Sequence, residues 1–331
     1  SLLLEPQSTN LIPYSEDFSN SYWSKTGASV TSGFTSPDGS LSAYLFNINN
    51  PSGEDIVSRT FSFISGVKTN ISIFVKDNDF GNQLILGISS NLVTITYDFL
   101  TQTILSSIGS WLDSVNITKG FNGFNRIDFT INPTFNSFAV FQIRTSDQGN
   151  GSFYIWGAQS EALSYATSYI PTSGSTATRL GETANNAGGA GVFNSEEGVL
   201  YAEIAALAND GTHRAICISK DGTLDNIIVI QYTSASQNIR FLYRQGAVSV
   251  ADLNFALNDI TQFHKVAGYW KQNEFKLFIN GAKVGEQLSG NVSANNVFKT
   301  LNFNRPDGQN FYGKTKNIQV FNYALTDEEL Q

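Results

Sequence analysis

The sequence predicts an all-β protein of two β-sandwich (jelly-roll) domains in tandem. Charged residues are only 15% of the chain, while Phe (25), Tyr (13) and Gly (28) are abundant. Pleated strands favour bulky side chains, and turns need residues that accept φ > 0. Short alternating segments recur with turn-makers between them, the spacing of sandwiches and barrels. A small, polar, glycine-rich stretch at 171–191 then divides the pattern, as an inter-domain connection does. The bounds read as a lead-in at 1–14, a first sandwich at 15–170, a linker at 171–191 and a second sandwich at 192–331.

The elements follow in order. LLLEPQSTNLIPYSEDF opens the chain with Pro6 and Pro13 and no period, hence an extended lead-in. TNISIFVKD (69–77) puts Ile71, Ile73 and Val75 on one face and Ser72, Phe74 and Lys76 on the other. QLILGIS, LVTITYDF, NRIDFTIN, SFAVFQIRT and SFYIWGAQ continue, separated by turns such as PDG (37–39), NPSG (50–53) and QGNG (148–151). After the linker, GVLYAEIAAL, HRAICISKDG, DNIIVIQYT and NIRFLYRQG resume the theme. FHKVAGYWKQNEFKLFINGAKVGEQ carries one hairpin at Lys271–Asn273 and another at Asn280-Gly281, the strongest short hairpin dipeptide. Thr326 and Glu329 have capping-box spacing, so one helical turn closes the chain.

The totals exclude several classes. With 331 residues the chain is long for one domain and comfortable for two. A balance of 28 acids to 20 bases, −8 overall and without a basic cluster, argues against nucleic acid. No run approaches the roughly 20 apolar residues that cross a bilayer as a helix. The one cysteine, Cys217 in RAICIS, has no disulfide partner and reads as a small buried side chain. Met is absent and Ser1 leads directly into LLLEP. A piece of a longer protein, or a processed product, is expected, with no signal-peptide pattern.

Two resemblances rest on particular strings. FHKVAGYW, KLFINGAKVGE and FYGKTKNIQVFNYALTDEEL, in that order, resemble the concanavalin A-like, laminin-G-like jelly rolls over about residues 192–331. TNLIPYSEDFSNSYWSKTGASVT and YIWGAQSEALSYATSYIPTSGSTATR resemble the opening and closing of carbohydrate-binding-module-like sandwiches in phage tail fibres and spikes. The pair implies a virion appendage, extracellular and homo-oligomeric, most simply trimeric, that contacts other virion proteins and a host cell-surface polysaccharide or glycan.

Catalysis lacks its usual strings. Glycoside hydrolysis on jelly rolls needs two carboxylates on one face, but Glu54-Asp55, Glu196-Glu197 and Glu328-Glu329 are adjacent pairs that a strand would point apart. No Gly-x-Ser-x-Gly or His-Glu-x-x-His occurs, and there are two histidines. The expectation is a non-enzyme with no required cofactor. For a calcium ion, Asp210 and Asp307 are the candidate ligands, with Asp221 and Asp225 in similar turns, although Asp-Gly also simply makes a turn.

Sugar recognition needs flat faces for C–H surfaces and planar polar groups for hydroxyls. In NIRFLYR, Ile239, Phe241 and Tyr243 share one face, and Arg240, Leu242 and Arg244 the other. Two arginines on one sheet face cannot both be core residues, so the face is either solvated or an anion-tolerant binding face, since the Arg fork matches a carboxylate. Trp270 falls on the same face as His264 and Val266, just before a hairpin turn. Asn302, Arg305 and Tyr312 sit in the loop NFNRPDGQNFY, placed to line a rim. In the first domain Trp23 and Trp156 read as core, Trp111 as an exposed platform, and Tyr22 and Tyr97 as weaker ones. The Asn-x-Ser/Thr strings at Asn70, Asn116, Asn150 and Asn291 would matter only in a secreted eukaryotic protein. The leading expectation is a non-catalytic adhesin. A structural spacer and a polysaccharide depolymerase with an unfamiliar site are the alternatives.

Overall fold

The computed structural model describes residues 2–49, 54–145 and 150–331, apart from the side chains at 90 and 91. The expected turns at 50–53 and 148–151 fall wholly or partly outside those residues. Strands dominate, and among the described residues the α-helical content is a single turn, Ser89–Leu92. The fold is all-β, as the composition and alternation require.

Contacts divide the chain into Gln7–Leu180 and a second unit made of Ser1–Pro6 with Gly181–Gln331. Residues 1–14, expected as a lead-in, instead give a strand to each unit. Leu2–Leu4 pairs antiparallel with Gly313–Phe321, and Ser8–Asn10 pairs with Ala177–Arg179. The stretch 171–191 is likewise shared between the units, ending the first at Leu180 and opening the second at Gly181. The reason is backbone pairing: small polar residues such as Ala177–Arg179 hydrogen-bond as well as any others, and composition alone does not show it.

The Gln7–Leu180 unit packs two six-stranded sheets. One runs in the order Thr103–Ile108, Val93–Asp98, Gln83–Ile88, Ser137–Thr145, Ile56–Phe63 and Ser24–Thr26; the other runs Leu112–Lys119, Asn125–Ile131, Thr69–Asp77, Ser152–Glu161, Ala43–Ile48 and Ala28–Phe34. Alternation decides what is inside. Ile71, Ile73 and Val75 are fully buried with Ile127, Phe129, Phe141 and Phe153. Trp23 belongs to this core, and Trp156 is buried in an aromatic cluster with Phe124 and Tyr169.

The second unit is also a sandwich. Its first sheet runs Leu2–Leu4, Gly313–Phe321, Glu197–Ala206, His264–Lys271, Glu274–Ile279 and Ala282–Gln287. Its second is built on Val248–Ala256, Asn238–Gln245, Ile227–Tyr232 and Arg214–Ser219, extended by the short strands Gln309–Asn310, Asn304–Arg305 and Thr300–Asn302. Ile239, Phe241 and Tyr243 point into the core, as predicted. Asn280 and Gly281 both have positive φ (51° and 83°), which the two-residue hairpin demands. Thr326 and Glu329 form the capping box: the Thr326 N–H donates to Glu329 Oε2 at 2.8 Å and the Glu329 N–H to Thr326 Oγ1 at 3.3 Å.

Candidate functional site

The outward face of the second unit's Arg214–Ser219 sheet gathers most of the polar residues singled out above. Register sets Gln231 beside Arg240 and Arg240 beside Asn254, so an amide, a guanidinium and a second amide lie in one row across three strands. Asp252, next to Leu242 in register, clamps Arg240 from two sides: Nε donates to Oδ1 at 2.7 Å and Nη2 to Oδ2 at 2.5 Å. Asn254 Nδ2 donates to the same Oδ1 at 2.9 Å. Burial works to raise the Asp252 carboxyl, but the Arg240 hydrogen bonds and charge outweigh it and hold it below the usual carboxylate range. The Arg240–Asp252 pair is therefore charge-balanced, with donors and acceptors side by side.

The loop 303–312 adds a second cluster. Arg305 Nη1 donates to Gln231 Oε1 at 3.3 Å, and its Nη2 lies 3.4 Å from Asp307 Oδ2. Gln231 Nε2 donates to Gln309 Oε1, and lies 2.8 Å from His213 Nδ1. Beneath these groups Ala215, Cys217, Ile227, Val229 and Leu242 form an apolar layer. Burial there pushes the Cys217 thiol far up, so it stays protonated and inert.

Other candidates take different places. Arg244 lies on the same face and donates from Nη2 to the Ala247 carbonyl. Asn302 is structural: its Oδ1 accepts the Asn186 N–H at 2.8 Å. Tyr312 is half-buried, and its hydroxyl accepts from Asn310 Nδ2 at 3.1 Å. Trp270 is not a platform. It is 0% exposed and its Nε1 donates to the Asn194 carbonyl at 3.2 Å. It does share a face with Val266, but that face is the core side. His264 is structural, its Nε2 lying 2.9 Å from the Asp259 carbonyl. Trp111 is corrected too. It is 1% exposed and caps one end of the first core, edge-on to Phe63 and Phe135 at 5.8 and 5.0 Å. Tyr97 is buried against Asn125, while Tyr22 is half-buried under Arg59.

The acidic candidates are engaged by the protein. Asp210 takes Arg214 Nη2 on both oxygens at 2.9 Å and the Thr212 N–H at 3.0 Å. Burial raises its carboxyl, yet the Arg214 charge and these hydrogen bonds leave it below the ordinary value. Among the described residues no group of three or more His, Cys, Asp or Glu side chains is placed to hold a metal ion. Glu54 pairs with Arg144 and Glu197 with Lys271, and Glu329 is spent in its cap. Glu196 and Glu197, expected to point apart, both line one open cleft of the second unit, because they stand where the strand Glu197–Ala206 only begins.

Sequence reasoning missed Gln231, Asp252, Asn254 and Gln309. The alternation of ADLNFA, polar at Asp252 and Asn254 and apolar at Leu253 and Phe255, could have flagged two of them. It also missed an open cleft of about 700 Å³ at one end of the sandwich, lined by Asn194, Gln245, Lys271, Gln272 and Asn291. Its polar groups largely satisfy one another: Gln272 Nε2 donates to Asn291 Oδ1 at 2.9 Å, and Lys271 lies 3.2 Å from Glu197.

Residues 200–331 match the Laminin_G_3 family model, described as the concanavalin A-like lectin/glucanases superfamily. Over those residues the second unit, a two-sheet β-sandwich, is similar to the concanavalin A-like jelly rolls. Among solved structures, the chain is similar to the Ruminococcus gnavus IT-sialidase CBM40, with a TM-score of 0.36 and 18% identity over 45% of this chain and 94% of that one. It is also similar to the native heptameric SAP-like pentraxin from Limulus polyphemus (TM-score 0.33, 13% identity, 44% of this chain and 72% of that one). Domains LG4-5 of the mouse laminin alpha1 chain align over 84% of this chain and 90% of theirs, with a TM-score of 0.28 and 6% identity. No curated protein matches.

Proposed function

We propose that the chain is a non-catalytic glycan-binding adhesin module, and that its second unit binds sugar hydroxyls on the Gln231–Arg240–Asn254 face. One observation carries this reading: Arg240, Asp252 and Asn254 hold each other in place at 2.5–2.9 Å while Arg240 Nη1 and Asn254 Oδ1 have no hydrogen bond among the described residues. A hydroxyl is both donor and acceptor. Here it accepts from the guanidinium and donates to the amide oxygen, and the clamp lowers the ordering cost because the groups are already set. The charge balance of Arg240 with Asp252 favours a neutral glycan over a strongly anionic one.

The resemblance of residues 154–182 to the exit strand of fibre modules supports placing the chain on a virion tail fibre or spike, outside the cell. A homo-oligomer, most simply a trimer, would strengthen weak sites by about 10²–10⁴ through linkage. Asp210 and Asp307 are each occupied by arginine, so a calcium ion at either would have to displace that partner.

A glycan array with the wild type and Arg240→Ala tests the reading. Binding that the substitution removes supports it. No binding to any glycan favours a structural spacer, and new reducing ends from host polysaccharide would make the protein a depolymerase.

A further inference from the structure

We propose a second, separate sugar site on the opposite sheet of the same unit: a slot for one neutral pyranose ring, built around Tyr201, Ala267 and Phe321. On the outward face of that sheet, register places Gln319, Tyr201, Ala267 and Phe278 side by side across four strands. Ala267 is the short side chain of the row, so a depression opens between its larger neighbours. The segment after Phe321 folds back over the sheet, burying Leu325 against Phe278 and setting Leu330 beside it. Asp327 fixes that fold-back by pairing with Lys276 at 2.5 Å and Lys283 at 3.2 Å. The resulting cleft has a volume of about 250 Å³. That lies just below the range of about 300–1,000 Å³ typical of small-molecule sites, and suits one ring rather than a chain of them.

The lining divides as a sugar divides. Tyr201 and Phe321 give half-buried aromatic walls for a C–H face. Lys265, Asn317 and Gln319 form the rim, and among the described residues their side chains make no hydrogen bond or ion pair. Neighbouring polar groups are otherwise committed: Lys276 and Lys283 hold carboxylates, Lys316 holds Glu203 at 3.2 Å, and Glu329 caps its turn. Three polar groups with no protein partner around an aromatic slot match hydroxyls around an apolar ring face. A plain aromatic molecule would fill the walls and leave the rim unused.

The slot is independent of the Arg240 face, and ligand-observed saturation-transfer NMR separates the two. The probes are methyl pyranosides of glucose, galactose, mannose and N-acetylglucosamine, with p-cresol as an aromatic comparator. At least one pyranoside is expected to give signal with the wild type and Arg240→Ala. In the Arg240→Ala background that signal should vanish when Ala267→Leu fills the slot, and weaken several-fold with Gln319→Ala. If Ala267→Leu does not fold by circular dichroism, Tyr201→Ala replaces it with the same expected loss. Absence of any pyranoside signal, signal that survives the filled slot, or binding of p-cresol alone overturns the proposal. Loss in Arg240→Ala with retention in Ala267→Leu would place the sugar on the other face and also overturn it.

Discussion

Gly198 lies directly opposite Trp270 in the sheet register, and the indole occupies the space that a side chain at 198 would need. A Cβ added to Gly198 would stand 2.5 Å from Trp270 Cζ2 and 2.6 Å from the Phe321 carbonyl oxygen. The core of the second unit is thus closed by a glycine that makes room and a tryptophan that fills it. Gly198→Ala should destabilise the unit by about 1–3 kcal/mol through overpacking, and Trp270→Ala by about 3–5 kcal/mol through the cavity left behind. Denaturant unfolding measures both. An unchanged midpoint in Trp270→Ala would mean the ring is not in the core.

Asp210 and Arg214 give a pH-dependent contribution. Arg214 is 1% exposed, so Asp210→Asn leaves a buried guanidinium without its counter-charge and should cost about 3 kcal/mol. The folded-state pKa of Asp210 is lowered, its burial outweighed by Arg214 and the Thr212 N–H. Its stabilisation is therefore complete above the unfolded carboxylate value of about 3.9 and is lost as pH falls through the lower folded value. Melting curves between neutral pH and about pH 2 should show a steeper acid loss in the wild type than in Asp210→Asn. Parallel curves would remove Asp210 from this role.

The strand Leu2–Leu4 closes one edge of the second unit, with Leu2 opposite Thr315 and Leu4 opposite Gly313. Deleting residues 1–6 should expose that edge and unbury Leu4, at a cost of about 1.5–3 kcal/mol for the side chain. Hydrogen exchange is expected to quicken at Gly313–Thr315. Unchanged protection there would show that the strand adds nothing.

Cys217 is sealed beneath the loop that carries Arg305, with burial holding its thiol protonated. A thiol reagent should label it only after denaturation, read by mass spectrometry. Rapid labelling of the native protein would place Cys217 at the surface.

Much of this was legible in the sequence. The alternation in TNISIFVKD and NIRFLYR settles which residues face the cores, because the side-chain period in a strand is two. Asn280-Gly281 and Thr326 with Glu329 specify their own local geometry. What depends on register was not legible. Nothing near Arg240 in the chain shows that Asp252 and Asn254 lie beside it, and nothing near Tyr201 shows Ala267 and Gln319 as its neighbours. Trp111 and Trp270 misled for a related reason: closeness to a turn suggests exposure, whereas both rings turn inward to cap a core. The lead-in and linker failed because Leu2–Leu4 and Ala177–Arg179 acquire strand structure only from distant partners.

The most direct test of the account is the affinity of an array-selected glycan for the wild type, Arg240→Ala and Asn254→Ala, with melting temperatures recorded alongside. Each substitution removes a hydrogen bond at a charged or clamped group, so binding should weaken about 10-fold or more at an unchanged melting temperature. Full affinity retained in both variants would contradict the assignment of sugar binding to this face.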